Sequence, residues 1–148
     1  MDKIIHCKVK LNCNVQHAFD LFTVNEQVKT WLAADAHIEP HVGGAYELFW
    51  DLKNKTNNST TGCKITAIDS NKLLCFEWKG PVQFSDFMNM ADPLTHVTVA
   101  FIPETADTVE VQLIHTGWRS GENWDAARTW FEHVWTNVLE NLRNNLLP

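Results

Sequence analysis

The strongest periodic signal lies near the C-terminal end. From Trp124 to Leu147, apolar residues recur at Trp124, Ala127, Phe131, Trp135, Val138, Leu142 and Leu146. Those steps of three and four draw one stripe along a helix of 3.6 residues per turn. The opposite side carries Asp125, Thr129, Glu132, Thr136, Glu140, Arg143 and Asn144. At the usual rise such a helix is about 36 Å long. No second helix of comparable length is available to cover its wide apolar face. Most of the remaining chain reads as strands, so a curved sheet is expected to wrap this helix. Function is expected where the two fail to touch.

Residues 3–13 alternate, with Ile5, Cys7, Val9, Leu11 and Cys13 on one face, as in a half-buried strand. Asn14 is placed to cap a following helix that turns Val15, Ala18, Phe19 and Phe22 inward. A second short helix is predicted over Asn25–Trp31. Strands are predicted at Ala34–Glu39, Ala45–Asp51, Gly62–Ile68 and Lys72–Lys79, with Tyr46, Leu48, Trp50, Leu74, Phe76 and Trp78 facing in. Gly43-Gly44 and Asp69-Ser70-Asn71 read as turns, and Lys53–Thr61 as a polar hairpin loop. Gly80–Pro93 has no clear period and is long for a hairpin connection. Strands Leu94–Ile102 and Thr108–His115 follow, around a turn at Pro103–Asp107. Ser120 or Asn123 is the expected cap of the long helix. The order is β-α-α, six strands and a final α.

Composition narrows the class. A chain of 148 residues fits a single domain over 1–148 and buries about 70% of its unfolded surface. Acids outnumber bases by 18 to 12, and the bases are scattered, which disfavours nucleic acid as a partner. No apolar run is long enough to span a membrane, and Met1-Asp2-Lys3 begins no signal peptide. A cytoplasmic protein is the expectation. None of the four cysteines forms a CxxC pair, and reduced thiols fit the cytosol. Seven tryptophans are unusual: either the core is very aromatic or some of them line a cavity.

The order of elements resembles the helix-grip fold of the START/birch-pollen-allergen (SRPBCC) superfamily. Local wording is similar to the family named after the activator of the heat-shock protein 90 ATPase. Its strand signatures are matched by Gly43-Gly44-x-Tyr46-x-Leu48 with Trp50, and by Gly62…Ile65…Ile68 with Leu74-x-Phe76-x-Trp78. Thr95-x-Val97-x-Val99 and Thr108-x-x-Val111-x-Leu113-x-His115-x-Gly117 follow in the same order, then Trp124…Phe131…Trp135…Leu139-x-x-Leu142. The resemblance implies an α+β helix-grip fold, a curved antiparallel sheet around the C-terminal helix. It also implies a likeness to binders of lipids, sterols and polyketides. Eukaryotic activators carry an additional N-terminal chaperone-binding domain that a chain of this length does not accommodate. A chaperone partner is therefore the second expectation.

The expected ligand site is an apolar cavity. Trp50, Trp78, Phe131 and Trp135 are expected to meet there, with Trp31, Tyr46 and Trp118 near its mouth. The alternative is that these rings simply fill the core. His115 falls in phase with Val109, Val111 and Leu113. It is a candidate acid, base or hydrogen-bond anchor, or else a structural histidine. Asp35 is a weaker catalytic candidate, whereas Glu47 and Glu77 are expected at the solvent face. His37 and His41 flank Pro40 and make no metal site. No cofactor is implied. Gly80–Pro93 is expected as a lid, a homodimer contact or a loop folded on the sheet edge. The leading expectation is non-catalytic binding of a small hydrophobic or amphipathic molecule. A stress-linked interaction module and a cyclase- or hydrolase-like enzyme using His115 are the alternatives.

Overall fold

The alternating N-terminal segment forms strand β1 (Ile5–Leu11) in the computed structural model, which describes residues 3–147. Helix α1 (Val15–Thr23) follows, and the Asn14 side chain accepts a hydrogen bond from the His17 amide at 2.7 Å. That bond satisfies one of the free donors at the helix start. Asn14→Ala is expected to cost about 1 kcal/mol in urea unfolding; a change below ~0.3 kcal/mol would deny the cap a role. Helix α2 (Asn25–Val28) is shorter than its apolar pattern suggests. Turns carry the chain from there to β2 (Asp35–Ile38), which pairs with β3 (Tyr46–Phe49).

Next come β4 (Ile65–Asp69) and β5 (Leu73–Trp78), joined through Asn71 at φ 63°. The aperiodic segment is not a plain loop. It holds a 3-10 turn (Val82–Phe84) and helix α3 (Ser85–Met88), both too short for periodicity to reveal. Strand β6 (Thr95–Thr105) runs past Pro103, which was expected in a turn, with a register irregularity there. Strand β7 (Thr108–Thr116) leads to helix α4 (Glu122–Asn145). Its N-cap is neither Ser120 nor Asn123 but Gly121, at φ 126°. That conformation favours glycine.

Five strands make one antiparallel sheet in the order β1-β7-β6-β5-β4. The β2–β3 ribbon is tied to β4 by backbone bonds between Gly43 and Ile65, Ile65 and Gly44, and Tyr46 and Cys63. Gly44 tolerates no side chain there, because a Cβ would lie 2.1 Å from the Glu39 carbonyl oxygen. Alternate residues of β5, β6 and β7 are buried, and α4 closes the core with Ala127, Phe131, Trp135, Leu139 and Leu142. All four cysteines are free thiols. Among the described residues no helix is long and apolar enough to cross a membrane.

Candidate functional site

Helix α4 has more apolar surface than the sheet covers. Its buried row packs on the sheet, while Trp130, Val134 and Val138 form a second row along its flank and are only partly covered. Beside this flank runs an open groove of about 310 Å³. Its far wall comes from Trp50, at the end of β3, and from the chain after β5 at Gly80-Pro81. Leu32 adds an aliphatic contact. The volume is at the lower end of the ~300–1,000 Å³ usual for small-molecule sites.

The four rings expected to meet do come together. Trp78 lies 5.1 Å from Trp135, 6.5 Å from Phe131 and 5.9 Å from Trp50, centroid to centroid. Trp78, Phe131 and Trp135 are buried and form the deep side of the groove; Trp50 and Trp130 are exposed by 40% and 36% and stand at its rim. Trp50 is held there by a 2.8 Å hydrogen bond from its indole N–H to the Leu32 carbonyl. Trp78 has no such partner: its indole nitrogen is buried and meets no acceptor among the described residues. A buried donor without a partner costs about 1–3 kcal/mol.

The three residues expected near the mouth lie elsewhere. Tyr46 is wholly buried, stacked on Phe76 at 3.9 Å, with its hydroxyl donating to the Phe22 carbonyl. Trp31 packs on Phe22 at 4.9 Å and donates to the Leu21 carbonyl. Trp118 covers His115 at 4.5 Å and donates to that residue's carbonyl. Each of the three indole or phenol donors is satisfied by backbone, which is how polar tips are accommodated inside an apolar core.

His115 is fully buried. Its Nδ1 accepts from the Trp135 indole N–H at 3.1 Å, and its Nε2 lies 3.0 Å from Thr95 Oγ1. An indole only donates, so Nδ1 is bare and Nε2 carries the proton to Thr95. Burial, with His96 adding a smaller contribution, pushes the imidazole down to about 3. Both ring nitrogens are therefore engaged on a neutral ring. Asp35 is in a different setting. Its carboxylate takes Lys55 at 2.6 Å, and that hydrogen bond holds it below the usual carboxylate range. Asp35 does not line the groove. His37 bonds to Glu47 at 3.0 Å, and Arg119 donates to the Gly117 and Pro93 carbonyls.

Sequence reasoning named Trp50 but missed the other rim ring, Trp130. Trp130 and Val134 lie off the stripe in which Val138 was counted, yet the three share four-residue steps parallel to Phe131 and Trp135, and that second row was the available signal. The Gly80–Pro93 segment meets the same helix: Phe84 lies 5.6 Å from Trp130, and Phe87 lies 5.1 Å from Trp124. Asn89 fixes it with bonds to both the amide and the carbonyl of Gly80.

An antiparallel sheet closed on a long C-terminal helix, with a groove between them, defines an α+β protein of the helix-grip class. The family model described as Activator of Hsp90 ATPase homolog 1-like protein matches residues 12–146, and the chain belongs to that family. Solved structures agree on the fold. A protein of Mesorhizobium loti superposes with a TM-score of 0.76 at 17% identity, over 96% of this chain and 95% of that one. The Aha1 dimer of Colwellia psychrerythraea gives 0.73 at 17% identity, over 97% and 96%. An HSP90 activator of Plasmodium falciparum gives 0.72 at 18% identity, over 97% and 95%. No curated protein matches the sequence.

Proposed function

We propose that this protein binds a small hydrophobic or amphipathic molecule in the groove between sheet and helix α4, without catalysis. The observation that carries the reading is the groove itself, whose deep wall of Trp78, Phe131 and Trp135 is flanked by the half-open rings of Trp50 and Trp130. Unpartnered aromatic surface of this kind gains when a ligand removes it from water, at about 25 cal/mol per Å². The buried indole N–H of Trp78 adds a donor in want of an acceptor. His115 does not serve as a base in this reading, because both of its nitrogens are occupied inside the core. The chaperone-activator reading draws on the family description and on a structural likeness at 18% identity. Neither supplies a residue of this chain that would meet a chaperone.

The test uses 1-anilinonaphthalene-8-sulfonate as a fluorescent probe of the native protein. A saturable response is expected, weakened about tenfold in Trp130→Ala, since a lost ring contact of about 50 Å² is worth roughly 1.3 kcal/mol. Trp130 is exposed enough that its truncation leaves the fold intact, which far-ultraviolet circular dichroism checks. No saturable response, or equal affinity in the variant, would sink the reading.

A further inference from the structure

The two edges of the five-stranded sheet differ. Strand β4 is covered, because Gly43, Gly44 and Tyr46 bond to the backbone of Ile65 and Cys63. Strand β1 is not. It pairs with β7 over all seven of its residues without a shift of register, and among the described residues its backbone bonds to nothing else. In an antiparallel ladder alternate residues turn N–H and C=O toward the neighbour, and the intervening ones turn them away. About half of β1 therefore offers free donors and acceptors. No proline, glycine or bulge interrupts the strand, although these are usual protections of an edge.

A second groove, of about 480 Å³, follows this edge between β1 and α4 and shares no lining residue with the groove beside Trp78. Cys7 and Val9 line it from the strand, Thr136 and Leu139 from the helix. Its charged lining is Lys8, Lys10 and Arg143 against one carboxylate, Glu140, in a chain of formal charge −6. Arg143 lies 3.5 Å from Glu140, and Lys10 lies 3.4 Å from Glu104. Lys8, at the middle of β1, makes no ion pair among the described residues. His6, Lys8 and Lys10 stand on the outer face of the sheet, where His6 meets Gln112 of β7 at 3.0 Å. They flank the position that a next strand would take.

We propose that β1 takes an extended segment of another protein as an added strand, with acidic side chains beside Lys8 on the outer face and small apolar ones over Cys7 and Val9. The unpaired ladder dictates the extended backbone, and the groove under α4 receives its inward side chains. The sign of the partner follows from Lys8. A second copy of this chain would have to pair β1 with β1. Registers centred on Lys8 or Val9 set Lys8 opposite Lys8 or Lys10 of the second copy, and a register centred on Cys7 sets it opposite His6. None supplies an acid, and like charges directly opposite each other destabilise a ladder. A glutamate or aspartate at that place gains what a second lysine loses.

The probe is an end-blocked eight-residue peptide of alternating valine and glutamate. One control replaces each glutamate by lysine. The other is the glutamate peptide N-methylated at every residue, which keeps its side chains and loses its donors. Calorimetry gives affinities, and amide hydrogen exchange in ¹⁵N-correlated spectra locates the contact. The glutamate peptide is expected to bind and to slow exchange of the amides on the free side of β1. The lysine peptide is expected to bind about fivefold more weakly, and the N-methylated peptide about tenfold more weakly. Lys8→Glu is expected to reverse the order of the glutamate and lysine peptides. Lys8 is exposed, and backbone resonances remote from β1 report whether the variant is folded. Binding without new protection in β1, or undiminished affinity of the N-methylated peptide, would overturn strand addition. Equal affinities of the glutamate and lysine peptides, or an order unchanged in Lys8→Glu, would overturn the acidic partner. Failure of both to bind would overturn the proposal as a whole. Self-association of the free protein with β1 amides already protected would give the edge to a second copy instead.

Discussion

Trp135→Ala is expected to destabilise the protein by about 4 kcal/mol, because one ring both fills the core and holds the buried imidazole. Trp135 is 2% exposed. Its ring packs on Trp78, and its N–H is the donor to His115 Nδ1. Removing the indole leaves a cavity, for which large aromatic truncations cost about 3–5 kcal/mol. It also leaves a buried nitrogen acceptor unpaired, which costs about 1–3 kcal/mol where no water replaces the donor. These contributions overlap, because a cavity of this size next to an open groove admits water to His115. Urea unfolding measures the sum as a shift in midpoint at constant slope. Trp135→Phe separates the parts, since it keeps most of the packing and loses the donor. It is expected to retain more than half of the lost stability. A Trp135→Ala stability within ~1 kcal/mol of native would mean that the ring packs loosely, and that the groove reaches deeper than its present outline.

The same residue marks how far the sequence could be read. The spacing of Ala127, Phe131, Trp135 and Leu142 sufficed to place the long helix and its buried face, because a stripe of that length has a single solution. Alternation likewise placed Val97, Val99, Val111, Leu113 and His115 inside. What alternation does not supply is depth. Tyr46 and Trp50 share a strand face, yet Tyr46 is sealed under Phe22 and Phe76 while Trp50 stands at the open rim. The difference comes from β3 ending at Phe49, where the sheet stops covering its own inner side. The backbone acceptors for the Trp31 and Tyr46 donors lie in α1, and the acceptor for Trp118 is the His115 carbonyl at the end of β7, so no hydrophobic periodicity announces them. The rim at Trp130 follows from an imbalance between two surfaces, the apolar width of α4 and the reach of the sheet, and only the folded chain exposes that mismatch.

Between pH 7 and pH 5 the native protein is expected to lose about 2 kcal/mol of stability through His115 alone. Burial pushes this imidazole down to about 3 in the folded state, against about 6.5 in an unfolded chain. Below about pH 6.5 the unfolded chain takes up a proton that the native state refuses, so the unfolded state gains relative to the native one as pH falls. The stability is complete above about pH 6.5 and is lost progressively down to about 3, the folded-state value. Two decades of pH sample about 1.4 units of that difference, at 1.36 kcal/mol per unit. Asp35, Glu47 and Asp125 are held below their ordinary values, so their contributions are also lost on acidification, but largely below about pH 5. His96 is lowered by burial against the opposing charge of Glu77, and it adds a smaller slope of the same sign. His115→Gln isolates the effect. An amide cannot take up the proton, yet it can hold Thr95 and Trp135 in part. The variant is expected to be less stable at pH 7 and nearly independent of pH from 7 to 5, apart from the share of His96. Parallel pH profiles for the native protein and His115→Gln would show that His115 accepts its proton in the folded state. The imidazole would then be reachable from the groove, and its role as an acid or base would reopen.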